Sequence, residues 1–257
     1  GVVPPAPTNG LIVHLRLDET AGAGVATDSS GYSHHGTLYD MDTNTAWTTG
    51  IHAGALQFDG ANDIVGIAAS ANLNSQTTTQ RTVSVWFRAN DPASAVKQVL
   101  YEEGGSTRGM NIFLAGGQLY TGGFNRDASQ SGWNGNWVTV GGIKTQIWQH
   151  VALVLNGGPT VGLDTIIGYL DGVEFGRAPG SQLWSRGDAN GIGACYDATR
   201  FHDNSMVGQT NGAWFNGVID DVRVYGRVLS VSEIRTLAGV YTTFTPHIAV
   251  DAGSNQP

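Results

Sequence analysis

Apolar and polar residues alternate with period two along much of this chain, most densely in Phe215-Asn-Gly-Val-Ile-Asp-Asp-Val-Arg-Val-Tyr225. Such alternation predicts a half-buried β-strand. It places Val218, Asp220, Val222 and Val224 on one face and Ile219, Asp221, Arg223 and Tyr225 on the other. A carboxylate on each face of a Val- and Ile-rich strand is costly unless compensated. Asp221 has Arg223 two residues on. Asp220 has only valines beside it, so its partner must come from elsewhere, a cation among the candidates. The same period predicts strands over 11–17, 56–58, 64–67, 83–88, 98–101, 111–114, 118–121, 137–140, 151–155 and 166–170. Asp59-Gly60 and Asp171-Gly172 read as hairpin turns. Only 230–238 has helical character, with Ser230 as cap, Glu233 at the third helical position and Gly239 just past the end. Many strands and one short helix predict an all-β, two-sheet antiparallel β-sandwich. Two long stretches, 121–142 and 184–214, carry no clear period and are rich in Gly, Asn, Asp and aromatics. Loops of that length in a compact domain are usually functional or disordered.

Composition narrows the picture. The 257 residues suffice for one large domain, and 37 glycines with only 13% charged residues favour short strands and tight turns. A net charge of −8 argues against nucleic acid or an anionic membrane as partner. No apolar run approaches the ~18 residues of a membrane span. The single Cys195 permits no internal disulfide and reads as a buried thiol. Residues 1–9, with three prolines, read as linker, 10–244 as the domain, and 245–257 as a linker to a following module.

Five stretches in order resemble one family. They are Gly10-Leu-Ile-Val-His-Leu-Arg-Leu-Asp-Glu19 with Asp28-Ser-Ser-Gly-Tyr-Ser-His-His-Gly-Thr-Leu38, then Ala55-Leu-Gln-Phe-Asp-Gly-Ala-Asn-Asp63, Thr82-Val-Ser-Val-Trp-Phe-Arg88, Trp148-Gln-His-Val-Ala-Leu-Val154, and Phe215 to Ser230. Together they resemble the laminin-G-like, concanavalin A-like jelly-roll domains of lectin, glucanase and carbohydrate-binding-module type. The resemblance implies a two-sheet jelly roll. It also implies a structural calcium joining the first-strand loop to the last strand. Carried over by position, Asp28, Gly31, His34 and Asp220 would hold it, Gly31 and His34 through backbone oxygen. The alternative is that Asp28 caps its own turn and Asp220 accepts backbone hydrogen bonds. Zinc at His34-His35 is disfavoured, since adjacent residues of an extended chain point apart. Val250-Asp-Ala-Gly-Ser-Asn-Gln256 resembles the start of immunoglobulin-like modules that follow such domains in large secreted bacterial proteins. The expected setting is therefore a secreted or cell-surface protein with flanking domains, this module being a monomer.

Sugar recognition needs flat aromatic faces and planar polar groups. Trp133-Asn-Gly-Asn-Trp137, if extended, puts two tryptophans on one face about 13 Å apart, with Asn125, Arg126 and Asp127 beside them. Tyr196, Arg200, His202, Asp203 and Asn204 form a second polar-aromatic cluster. Trp86 and Trp148 read as core. Catalysis has a thin inventory. The five glutamates, Glu19, Glu102, Glu103, Glu174 and Glu233, lack the Glu-x-Asp-x-x-Glu spacing of family-16-like glucanases. Tyr196, Arg200 and His202 could in principle serve a polysaccharide lyase, but the Arg-x-Glu and Gln-x-His signatures of the alginate-lyase-like enzymes are absent. The expectation is a non-catalytic module binding a polysaccharide, ahead of an adhesion or spacer module and a lyase.

Overall fold

The computed structural model describes residues 5–208 and 210–241. From the N-terminus come β1 (Leu11–Leu15), β2 (Val25–Ala26), β3 (Gly36–Tyr39), β4 (Trp47–Thr49), β5 (Gly54–Asp59), β6 (Ile64–Ile67), β7 (Gln80–Ala89), β8 (Gln98–Gly104) and β9 (Arg108–Ala115). There follow β10 (Gln118–Asn125), β11 (Trp133–Val140), β12 (Gln149–Asn156), β13 (Gly162–Leu170), β14 (Val173–Gly180), β15 (Asn190–Ile192), β16 (Thr199–Arg200), β17 (Met206–Val207), β18 (Asn216–Tyr225) and helix α1 (Val231–Leu237). The first sheet runs β14-β13-β12-β7-β18-β5-β4, with β1 also paired to β18. The second runs β11-β10-β9-β8-β15-β6-β3-β2, and β16 with β17 makes a separate ribbon. The expected all-β, two-sheet antiparallel sandwich is what forms.

Alternate residues of each strand build the core between the sheets. Val83, Val85 and Phe87 of β7 and Val151, Leu153 and Leu155 of β12 meet Ile112 and Leu114 of β9 and Leu119 of β10 in one buried cluster. The first sheet's outer face is covered by α1, whose Ile234 and Leu237 pack on Val154, Ile167, Tyr169 and Tyr225. Ser230 and Glu233 form a reciprocal capping box at its start. On the second sheet's outer face, residues from the 193–215 stretch cover β8 and β9: Cys195 and Phe201 pack on Val99 and Phe113. Burial pushes the Cys195 thiol far up.

Several local expectations change. The β18–β7 register slips between Asp220 and Arg223, and Asp221 takes φ 49°, forming a β-bulge. The bulge resets the alternation, so Ile219, Val222 and Val224 all join the inner core while Asp220 sits opposite Trp86, away from it. Asp59-Gly60 carries the chain from β5 in the first sheet to β6 in the second, so it is a crossing rather than a hairpin. Asp171-Gly172 does close a hairpin, with both residues at positive φ. Trp148 is half-buried, with the Arg88 guanidinium 5.4 Å above its ring, rather than core. Part of the expected N-terminal linker docks on the domain: Pro7 accepts from the Tyr225 hydroxyl at 2.9 Å and Asn9 from Arg227 Nε at 2.7 Å. The expected linker at 245–257 lies outside the described residues.

Candidate glycan-binding face

Beyond β9, which the 193–215 stretch covers, the second sheet's outer face carries the half-buried Tyr120 of β10 and Trp137 of β11, where the unassigned 121–142 stretch becomes a hairpin. Its two tryptophans part company. The β10–β11 register slips between Gly123 and Asn125, and Gly135 takes φ 110°. This interruption between Trp133 and Trp137 breaks the four-residue alternation. Trp133 turns inward, is 4% exposed and belongs to the core, against the expectation that it faces a ligand. Trp137 turns outward and is half-buried. Its indole lies against Gly122, where a Cβ would come within 2.4 Å of Cδ1, and against Gly135, where one would come within 2.7 Å of the ring. Glycine at both positions lets the ring lie close to the sheet. Phe124 stacks beside it at 6.1 Å with 25° between planes. The indole Nε1 donates to Asn111 Oδ1 at 2.8 Å, which fixes the ring.

Asn111 is fully buried and ties three elements together. Its Nδ2 donates to Thr199 Oγ1 at 3.0 Å and to the Arg200 carbonyl at 2.7 Å. The ribbon carrying Arg200 and His202 is thus anchored to the strand that anchors Trp137. His202 stacks on Tyr120 at 4.1 Å and 13°, and Tyr120 stacks on Phe113 at 4.8 Å and 6°. Burial lowers the pKa of His202 from its ordinary value. Arg200 donates through Nε to the Ser106 carbonyl. Exposed Arg126 donates from Nη1 to Asn204 Oδ1 at 3.4 Å. Trp137, Tyr120, His202, Arg126 and Arg200 therefore make one aromatic and cationic surface.

Other expected sugar contacts are committed to local structure. Asn125 is buried, donating to the Gln130 carbonyl and accepting from the Asp127 amide. Asp127 caps Ser129 through its amide and hydroxyl, which hold its carboxyl below the usual range, and pairs with Arg108 at 3.3 Å. Asp203 pairs with Lys97 at 2.8 Å and caps Ser205, and both lower its pKa, Lys97 more. Tyr196 belongs to another patch, its ring beside Tyr39 at 5.6 Å and over Gly66. The reading of the residues missed Asn111, Tyr120 and Gly122. A lone Asn between apolar strand neighbours was the available signal for the first.

The residues expected to bind calcium do not fit that ion. Asp28 Oδ1 accepts from the His14 and Ser30 amides at 2.8 and 2.9 Å. Its Oδ2 accepts from the Ser30 hydroxyl and the His34 amide at 2.7 and 2.9 Å. All four acceptor sites of the carboxylate meet chain donors, and those donors lower its pKa against the effect of burial. A cation needs the opposite, carbonyl oxygens turned inward. His34 is held by Ile12 and Ser70 through its ring, and Gly31 is exposed at φ 97°. Asp220 is buried and accepts the His52 amide at 2.9 Å, with Oδ1 unpartnered; burial raises its pKa to about 7. Among the described residues, no group of three or more His, Cys, Asp or Glu side chains is arranged to hold a metal. Glu102 and Glu103 are buried too. Glu103 pairs with Arg81 and Arg186, and Glu102 accepts the Tyr196 amide at 3.0 Å.

Fold and site together define a lectin-like two-sheet sandwich domain. The chain belongs to the concanavalin A-like lectin/glucanases superfamily, whose laminin G-type family model matches residues 59–235. A comparison with curated proteins finds no match. Among solved structures, the chain is similar to domain 4 of AbnA, a GH43 extracellular arabinanase from Geobacillus stearothermophilus, in complex with arabinotriose. That match has 17% identity and TM-score 0.60, and covers 89% of this chain and 98% of that one. It is similar also to the botulinum neurotoxin serotype D binding domain, at 14% identity and TM-score 0.61, covering 90% of this chain and 51% of that one. A serotype D ligand binding domain in complex with N-acetylneuraminic acid matches at 14% identity and TM-score 0.58, with 90% and 51% coverage. At these identities the likeness establishes the fold.

Proposed function

We propose that this chain is a non-catalytic carbohydrate-binding domain of an exported protein, with its glycan lying across β10 and β11 beside the β16–β17 ribbon. One observation carries the reading: an indole held flat over Gly122, fixed through its own N–H by a buried Asn. A sugar ring stacks on such a face, and Arg126, Arg200 and Asn204, toward the β8–β9 turn, would meet the hydroxyls of a further unit of the same glycan. Similarity to an arabinanase domain solved with arabinotriose and to a neurotoxin domain solved with N-acetylneuraminic acid supports the reading. A binding role is favoured over hydrolysis because Glu102 and Glu103 are enclosed by the protein. Calcium has no part in the proposal, since Asp28 already holds four chain donors.

Affinity electrophoresis against immobilised polysaccharides, arabinan included, tests this. The native chain should be retarded by at least one. Trp137→Ala should lose about tenfold in affinity or more, an aromatic contact being worth on the order of 1 kcal/mol beyond its buried area. Retention unchanged in Trp137→Ala would remove the site. No retention by any glycan would leave an adhesion or spacer role.

A further inference from the structure

The chain carries 21 acidic and 13 basic residues, so its cations have carboxylates to spare. Six of its eleven arginines face a carboxylate at 3.3 Å or less. Arg126 and Arg200 face none among the described residues; their acceptors are neutral, Asn204 Oδ1 and the Ser106 carbonyl. A guanidinium has five N–H donors, so each of these keeps most of its donors and all of its charge. The Arg126 amide donates to the Thr107 carbonyl at 2.8 Å, next to the Ser106 carbonyl that the Arg200 side chain holds, so the two meet at the turn between β8 and β9. Burial and Arg126 both disfavour the charge on Arg200. Unneutralised neighbours of like sign in an acidic protein are a local cost that an anion relieves.

Their placement says what kind of anion. Asn111 holds the Trp137 indole with one end of its amide and the Arg200 backbone with the other. Arg200 and the aromatic platform therefore share one anchor, and Arg126 joins them through Asn204 on the loop that follows Arg200. Building on the carbohydrate-binding reading of this face, we propose that the glycan is anionic: a carboxylate or sulfate group lies between Arg126 and Arg200 while a neighbouring ring of the same chain stacks on Trp137. Guanidinium suits both groups because its planar fork matches their paired oxygens.

Two matched pairs of probes test the charge directly: polygalacturonate against its carboxyl-reduced form, and dextran sulfate against dextran. In low salt, the native chain should bind at least one charged member about tenfold tighter than its neutral twin, the factor one strong charge-assisted contact supplies. Arg126→Gln and Arg200→Gln should each remove most of that preference and Arg126→Lys should keep part of it. Arg235→Gln, an exposed arginine on α1, should change nothing. Thermal melts of each variant separate lost contacts from lost folding, and Arg126 is exposed enough to replace without unfolding. Polygalacturonate and dextran sulfate identify the carboxylate and sulfate cases respectively. Equal affinity within both pairs, or a preference that survives in the double Gln variant, overturns the anionic assignment. In that case, binding to neutral glycans that still depends on Trp137 leaves the carbohydrate-binding reading standing. No binding to any member of either pair, nor to a wider neutral panel, overturns both.

Discussion

At the scale of single residues, the two tryptophans of one pentapeptide do different work. Trp133 fills space under Gly123 and Gly180, so Trp133→Ala should cost about 3–5 kcal/mol of stability, the usual range for a buried aromatic. Denaturant unfolding measures that. Trp137→Ala should cost less, because its ring is only half-buried, the loss including the hydrogen bond to buried Asn111. Two buried titratable groups make a second residue-scale prediction. His150 is buried, with Nε2 at 2.7 Å from Ser84 Oγ and Nδ1 unpartnered, and burial lowers its pKa to about 3. Stability from His150 is present above its unfolded pKa, about 6.5, and is lost as pH falls toward 3. Asp220 has the opposite sense. Its folded pKa of about 7 exceeds the ordinary 3.8, so its contribution is fullest below pH 3.8 and falls as pH rises to 7. Between roughly pH 4 and 6.5 the two slopes oppose each other. Asp220→Asn should therefore be more stable than the native chain near pH 7 and should lose stability on acidification through this window more steeply than the native chain. Melting temperatures across pH decide it; identical slopes in the two proteins would show that Asp220 does not titrate as described.

At the scale of elements, β-bulges decide which residues face where. The strands themselves were legible, because period two survives wherever a strand packs one face on the core. The capping box of α1 and the Asp171-Gly172 turn were legible as well, since local chemistry alone specifies both. What alternation cannot reveal is one added residue. At Asp221 and at Gly135 the register shifts, and every face assignment beyond that point inverts. That inversion is why Asp220 looked stranded among valines and why Trp133 looked paired with Trp137. Gly122→Ala tests the platform at this level. Gly122 lies outside the left-handed region, but a new Cβ would sit 2.3 Å from the Asn136 carbonyl and 2.4 Å from the Trp137 indole, so both β11 and the ring must shift. The variant should keep its β-rich circular dichroism, lose stability by about 1–3 kcal/mol, and lose glycan binding as the ring is displaced. Retained binding would place the ligand elsewhere.

At the scale of the whole molecule, the sandwich has two outer faces with different fates. The first sheet's is covered in part by α1 and by Ala6 from the N-terminal segment, beside a cavity lined by His14, Arg16, His52, Asp221 and Arg223. The second sheet's is covered over β8 and β9 by the 193–215 stretch, leaving Tyr120 of β10 and Trp137 of β11 half-buried. The fold was readable from five motifs in order. The site was readable only in part, because Trp137, Arg126, Arg200 and His202 lie up to 76 residues apart and only the sheet brings them together. The same architecture holds Asp28 by four donors from its own chain. A chelator should therefore leave the melting temperature unchanged, whereas Asp28→Ala should lower it by freeing those donors; a chelator-sensitive melt restored by calcium would reverse that conclusion.

The central claim is that Trp137 is the surface a sugar stacks on. The most direct measurement is the set of indole N–H resonances from the seven tryptophans, recorded by two-dimensional nitrogen–proton NMR while a bound oligosaccharide is added. Trp137→Phe and Trp133→Phe assign the two signals that matter. The Trp137 signal should shift in proportion to occupancy, with the core Trp133 signal moving far less. Saturable binding that leaves Trp137 unmoved, while Trp148 or Trp214 shifts instead, would contradict the account.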